Sequence, residues 1–321
     1  MTGARFFIFI LLLGACTSAV TSCNDHTATR VIDFSKTVDC ARHSTSSSDE
    51  TQLLVAVGAM ISPKETFVHY RELVEYLGEK LGKKAELVQR KTYTEVNELL
   101  GKGKIHLAFL CSGPYALEKD RLKLELLAAP EVDGSHFYQA YLIVNADSDF
   151  RTLEDLKGRS FAFTDPASHT GKMVPTRWLS EIGETPETFF SNLIYTYSHD
   201  NSILAVGRGL VHGASVDGLI WDYYHQNSPS ITERTRIIRK SEYFGIPPIV
   251  SGPHLSGEMK HAIQQILFTM HLELRGRIIL DKLRVDRFVQ PQKEWYDSIR
   301  AYVTRSEVPM GDGYGLQEPS Y

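Results

Sequence analysis

The chain has 321 residues, of which 42% are hydrophobic, and a formal net charge of -4. This length suits about two domains, and the apolar content excludes wholesale disorder. No basic surplus draws the protein to nucleic acid or an anionic membrane, so an anionic ligand has to be caught by local donors.

At the N-terminus, Arg5 precedes FFIFILLLGA, an apolar run too short to span a bilayer as a mature helix and read as a signal. Leu13-Gly14-Ala15-Cys16 resembles a bacterial lipobox, in which cleavage falls before the cysteine that takes the lipid; Cys23 is a second candidate. A plain secretory signal with an incidental cysteine is the alternative. Residues 1–22 are therefore expected to be a lipoprotein-type signal, with Cys16 the lipid attachment site. The mature protein is then exported, periplasmic or extracytoplasmic, and held at a membrane by its lipid. Residues 23–50 are rich in Ser and Thr and read as a polar tether, with TRVIDFS inside it a further strand. A Cys23–Cys40 disulfide is left open by the sequence. Cys111 sits in an apolar run and reads as a buried thiol. No His or Cys spacing suits a metal, and neither metal nor cofactor is expected.

The body opens with QLLVAVGAM, a buried strand pattern, then a helix that starts at Ser62-Pro63 and ends at Gly82. KAELVQR reads as a strand, YTEVNELLGKG as a helix and IHLAFLC as a strand. FYQAYLIVNAD reads as one long strand, TLEDLKG as a short helix and RSFAFTD as another strand. GKMVPTRWLSEIG continues as a helix and FSNLIYTYS as a strand. HDNSILAVGRGL begins a helix, and GASVDGLIWDYY is a strand with a turn after it. TRIIRKSEYFGIPPIVSG crosses back, and two long helical patterns follow. Alternating strands and helices imply parallel sheets with crossovers. Two α/β lobes result: lobe 1 from 51–143 and 236–305, lobe 2 from 144–235, then a loose tail over 306–321. Ligands of such sheets bind beyond the carboxyl ends of the strands.

One stretch stands out at such an end. FTDPASHTGKMVPTRWL (163–179) passes from strand to helix through small and hydroxyl residues. A helix start offers unpaired N–H groups and a partial positive charge, so the stretch suits an anion. An ordinary cap needs the same Ser and Thr. His199, Asp200 and Ser202 crowd one helix start, too close together for a catalytic triad, and no nucleophile elbow or phosphate-binding loop motif is present, so no enzyme is expected.

LEDLKGRSFAFTDPASHTG, SHDNSILAV, GKIHLAFLCSGPY, VGAMISPKETFVHYRELVEYLGEKLG and HAIQQILFTMH occur in an order and spacing that resemble the phosphate/phosphite/phosphonate-binding proteins of bacterial ABC importers. The resemblance covers most of residues 51–303. It implies an α/β, two-lobed periplasmic-binding-protein fold of type 2, each lobe a mixed sheet flanked by helices, with a two-segment hinge. It implies that Ser168 and Thr170 donate hydroxyl bonds to an oxyanion, joined by the amides of His169, Thr170 and Gly171. His199 and Tyr93 match pocket residues, and Ser112 falls in the pocket loop of lobe 1. Tyr115 walls the cleft or packs in the core, Asp217 is near the ligand or a turn residue, and Ser62 is near the cleft by topology. A neutral His199, or Asp217, would accept from a protonated ligand oxygen.

Two departures from the resemblance matter. His169 replaces a small hydroxyl residue, either as an imidazole that makes binding sensitive to pH or as a side chain turned to solvent. Leu219 and Pro247 stand where aminoalkylphosphonate binders have carboxylates, which points away from an ammonium-bearing ligand. The function implied is the solute-binding component of an ABC transporter, a monomer that captures phosphate, phosphite or an alkylphosphonate and hands it to a membrane permease. The alternatives are a lipoprotein that feeds a sensor kinase, or the same fold around another small organic molecule.

Overall fold

The computed structural model describes residues 52–58 and 60–304. The signal, Cys16, Cys23, Cys40, the tether with its expected strand and the 306–321 tail lie outside the described residues.

The chain enters as β1 (Gln52–Val57). Next comes α1 (Pro63–Leu81), which has proline where no intrahelical N–H is needed and ends at Gly82 with a φ of 64° that glycine adopts without strain. Then follow β2 (Lys84–Gln89), α2 (Tyr93–Gly101), β3 (Leu107–Phe109), α3 (Ser112–Glu118) and β4 (Glu125–Glu131). A short strand, β5 (Phe137–Tyr138), leads to β6 (Ala140–Asn145), β7 (Ser160–Phe163), α4 (Val174–Glu181) and α5 (Pro186–Phe189). β8 (Asn192–Tyr195), α6 (His199–Gly207), β9 (Gly213–Asp217), α7 (Gly218–Asn227) and β10 (Thr235–Lys240) complete this half. The return runs through β11 (Phe244–Gly245), β12 (Ile249–Ser251), α8 (Gly257–Thr269), α9 (Leu274–Leu283), β13 (Arg287–Val289) and α10 (Asp297–Thr304).

Two mixed sheets result. The first has the order β13-β4-β12-β3-β1-β2 and the second β10-β6-β9-β7-β8. β1 runs parallel to β2 and β3, and β7 parallel to β8 and β9. Alternate residues of a strand face opposite sides. Leu53, Val55 and Val57 therefore pack with Leu73 and Leu77 of α1 and Ile263 and Leu267 of α8, while Ala56 meets Leu100 of α2 on the other side. In the second sheet Ile143, Ala162 and Val216 face Ile203 and Val206 of α6, and Phe161 and Phe163 face Trp178 and Leu179 of α4.

The crossings differ from expectation. FYQAYLIVNAD breaks at Gln139 into β5 and β6, and TRIIRKSEYFGIPPIVSG gives three strands. All of β6 and β10 belongs to the second sheet, so the expected lobe boundaries at 143/144 and 235/236 move outward to about 139 and 241. The physical reason is pairing. β6 lies antiparallel to both β9 and β10, whereas β5 and β11 pair only with each other, Phe244 opposite Tyr138 and Gly245 opposite Phe137. The expected turn after GASVD is instead the helix α7. The long late helical pattern divides between α8 and α9, where Gly276 lies so close to Met270 that a Cβ would meet its carbonyl oxygen at 1.9 Å.

Candidate ligand-binding site

The carboxyl ends of β1, β7 and β9 and the N-termini of α2 and α6 converge between the two sheets. β7 runs out at Phe163. The chain then enters a wide, π-type turn over His169–Met173 that continues into α4. Ser168 caps this turn. Its Oγ accepts from the Gly171 amide (3.0 Å), and its carbonyl accepts from the amides of Lys172 (3.2 Å) and Met173 (3.0 Å). Gly171 is required by proximity: a Cβ there would meet Thr164 Oγ1 at 2.5 Å and Ser168 Oγ at 2.8 Å. The His169 amide is directed at the Cys111 sulfur. The Gly171 and His169 amides are thus turned onto protein acceptors, while Ser168 Oγ, which accepts the first of them, keeps its own O–H as a donor. Thr170 differs from them. Its carbonyl accepts from Ser215 Oγ (2.6 Å), but its own buried Oγ1 has no hydrogen-bond partner among the described residues.

His199 is the first residue of α6 and is fully buried. Its amide donates to the Met60 carbonyl of the other lobe (3.0 Å). Its Nδ1 accepts from the Asp217 amide (3.1 Å) and lies 3.1 Å from Thr164 Oγ1. A nitrogen that accepts a backbone N–H has no proton of its own, so in the neutral ring the proton sits on Nε2. Burial pushes the pKa down to about 3, which keeps the ring neutral. Nε2 is buried and without a partner among the described residues. His199 therefore presents a donor, not the acceptor expected for a protonated ligand oxygen.

Tyr93 opens α2, and its ring lies so close to Gly58 that a Cβ there would meet its Cε1 at 2.5 Å. Its hydroxyl, like Thr170 Oγ1 and His199 Nε2, is buried and without a hydrogen-bond partner among the described residues. Burial, with Cys111, Asp165 and Asp217 nearby, holds that phenol well above its usual pKa, so it stays protonated. Asp217 ends β9 and caps α7, its Oδ1 accepting from the Leu219 amide (2.9 Å). Burial raises its pKa to about 7, and the charge of Asp222 adds to the rise.

Four other expected site residues have partners inside the protein. His169 neither faces solvent nor takes a positive charge. It is fully buried, edge-on to Phe244 with ring centroids 4.3 Å apart, and burial lowers its pKa to about 3. Ser112 gives its hydroxyl to the Gly245 carbonyl (2.5 Å) and so holds β11. Tyr115 faces the core against Tyr296, ring centroids 5.0 Å apart, and not the cleft. Ser62 bridges the lobes, its amide donating to Asp200 Oδ1 (2.9 Å). Asp165 makes the matching bridge to the Tyr93 amide (3.4 Å). Each carboxylate of lobe 2 thus sits at a helix start of lobe 1, where the helix dipole favours negative charge. Neither bridge is visible in local residue spacing.

A cleft between the lobes, open to solvent at its mouth, has a volume of about 140 Å³. Tyr70, Phe109 and Pro247 line one side, Leu219 and Ile220 the other, and Met60 and Asp217 form the wall shared with His199. Among the described residues no group of three His, Cys, Asp or Glu side chains is placed to hold a metal ion, and no helix is long and apolar enough to cross a membrane.

Comparison with known proteins bears on this arrangement. The family model described as "ABC transporter, phosphonate, periplasmic substrate-binding protein" matches residues 55–296. The phosphate-import protein PhnD of Mycolicibacterium smegmatis is 33% identical over 172 residues, 50% of this chain and 53% of that protein. The phosphonates-binding periplasmic protein of Escherichia coli is 25% identical over 209 residues, 64% of this chain and 62% of that one. The chain thus spans about half to three-fifths of the length of these curated relatives. Among solved structures, a binding-protein component of an ABC phosphonate transporter from Pseudomonas aeruginosa superposes with a TM-score of 0.76 at 20% identity, covering 80% of this chain and 86% of that one. PhnD1 of Prochlorococcus marinus, solved with methylphosphonate, gives 0.72 at 15% identity over 79% and 98%. At these identities the structural likeness concerns the fold, which is the type 2 two-lobed one. The match over residues 55–296 settles the family: this chain belongs to the periplasmic substrate-binding proteins of ABC phosphonate transporters.

Proposed function

We propose that the protein is the solute-binding component of an importer and holds a small phosphorus oxyanion (phosphate, phosphite or an alkylphosphonate) between its lobes. The observation that carries this reading is the trio of buried groups without internal partners, Thr170 Oγ1, Tyr93 Oη and His199 Nε2, at one interlobe junction. A buried polar atom left unpaired costs about 1–3 kcal/mol, so three together point to a ligand. All three are donors toward an oxyanion. Asp217 is the acceptor that remains for a protonated oxygen, which phosphate monoanion has and sulfate lacks. With each charge-assisted bond contributing roughly 1.5–3 kcal/mol, three such bonds reach the range of micromolar affinity, about −8 kcal/mol.

In this reading the molecule is not an enzyme. It acts as a monomer, closes on its ligand and docks on a membrane permease. The bridges from Asp165 to α2 and from Asp200 to α1 support the closed arrangement. Calorimetric titration at pH 7 with phosphate, phosphite, methylphosphonate and sulfate tests it. Micromolar binding of at least one phosphorus oxyanion, with sulfate much weaker, is expected; binding of none of the three overturns the reading. Export and a lipid at Cys16 rest on the N-terminal sequence. Mass spectrometry of the detergent-extracted protein is expected to show a diacylglyceryl adduct on an N-terminal Cys16. An unmodified mature N-terminus elsewhere refutes the anchor.

A further inference from the structure

We infer that Thr164 is a positioning residue for ligand binding: its hydroxyl donates to His199 Nδ1 and, with the Asp217 amide, holds the imidazole so that its Nε2–H meets the oxyanion. The inference rests on the oxyanion reading above and deepens it by naming what strengthens His199 as a donor.

The geometry leaves the Thr164 hydroxyl one direction. Thr164 Oγ1 lies 3.1 Å from His199 Nδ1, a nitrogen that already accepts the Asp217 amide at 3.1 Å and so carries no proton. A hydroxyl turned the other way would set its lone pairs against that of Nδ1. The hydrogen of Thr164 therefore goes to the ring. Behind it, Ser202 Oγ lies 3.4 Å from Thr164 Oγ1 and 2.6 Å from Thr196 Oγ1, so a run of hydroxyls stands in line with the imidazole. Ser202 Oγ also has the Ser198 carbonyl within reach at 3.3 Å, and the bond from Thr164 to the ring does not depend on which way the hydroxyls behind it point.

Thr164, Ser202 and His199 are fully buried. Away from water, hydrogen bonds in a chain polarise one another. Donation to Nδ1 draws electron density out of the ring and makes Nε2–H the stronger donor. The same residue touches the turn that carries Thr170. Its amide donates to the Gly171 carbonyl (3.4 Å), and a Cβ on Gly171 would meet its Oγ1 at 2.5 Å. Thr164 thus sits between two of the three unpartnered donors. Its own hydroxyl is committed to the ring, so it acts through His199 and not on the ligand itself.

Nitrogen NMR of protein with isotope-labelled histidine, beside calorimetry with phosphate, phosphite and methylphosphonate, tests the inference. The His199 signals are identified by their loss in His199→Gln. In the wild type Nδ1 is expected to resonate as an unprotonated, hydrogen-bonded nitrogen and Nε2 as a protonated one; a protonated Nδ1 overturns the inference without any variant. Thr164→Val keeps the shape and removes the hydroxyl. It is expected to move the Nδ1 resonance towards that of a less hydrogen-bonded nitrogen and to weaken binding of the tightest of the three anions by about 3- to 10-fold, the worth of one hydrogen bond. Thr164→Ser, which keeps the hydroxyl, is expected to restore the wild-type resonance and affinity. A resonance or an affinity unmoved in Thr164→Val, or an equal loss of affinity in the serine variant, overturns the inference and leaves the oxyanion reading in place. If none of the three anions binds the wild type, both fall.

Discussion

Thr170→Val is expected to weaken binding of the tightest phosphorus oxyanion by about 10- to 150-fold, the worth of one hydrogen bond to a charged group. The ligand-free protein is expected to unfold at an unchanged or slightly higher temperature. The two expectations follow from one fact: Thr170 Oγ1 is buried and has no partner among the described residues. Valine keeps the shape and removes a desolvated hydroxyl that contributes nothing inside the protein. Ser168 makes the contrast, because its Oγ caps the turn through the Gly171 amide. Ser168→Ala is expected to cost about 1 kcal/mol of stability. Titration calorimetry and thermal unfolding of both variants separate the roles. Should Thr170→Val bind normally, the hydroxyl does not face the ligand and the proposed site fails.

Asp217→Asn is expected to stabilise the ligand-free protein at pH 7.5 and to flatten its stability between pH 4 and pH 7. The carboxyl is fully buried in effect, and its pKa rises from 3.8 to about 7. The unfolded chain releases this proton near pH 4, while the folded chain keeps it until about pH 7. Between those values the native state binds more protons, so its stability falls as pH rises, and it levels off above pH 7. The full span corresponds to an effect on the order of 4 kcal/mol. Asn keeps an acceptor for the Leu219 amide and has no charge to desolvate. Asp165, raised to about 6 by burial, adds a slope of the same sign over pH 4 to 6, and this part persists in the variant. Urea unfolding at intervals from pH 4 to pH 8 reads both. A variant whose stability parallels the wild type across that range would show that Asp217 is ionised throughout.

Much of the fold was legible because its signals are local. The apolar alternation of QLLVAV, the Pro63 start and Gly82 stop of α1, and the hydroxyl and glycine run after β7 each fit within one turn or one strand. α7 was missed because GLIWDYY begins with glycine and mixes aromatics with an acid, which resembles a turn. α3 was missed because SGPYALE places Gly and Pro in the first turn of the helix, where both are tolerated. The site was legible as a set of residues, but not in its bonding. Whether His199 donates or accepts is decided by the Asp217 amide, 18 residues later. Whether His169 meets water is decided by Phe244, which arrives with the return strand β11. Tyr115 turns inward because Tyr296 lies against it. Such long-range partners leave no mark on local spacing.

The ribbon of β5 and β11 bears on how the two halves swivel. On one side Ser112 and Trp295 clamp Gly245 to the first sheet; on the other Ser241 is laced to Ala140 by bonds of 2.8 and 3.0 Å. Torque between the halves is thus borne by Tyr138–Gln139 on one strand and Glu242–Tyr243 on its neighbour. Tyr138 stands on this axle with its hydroxyl 3.5 Å from His169 Nδ1 in the turn that cradles Thr170. The turn that carries Thr170 and the ribbon that joins the two sheets therefore share a direct contact.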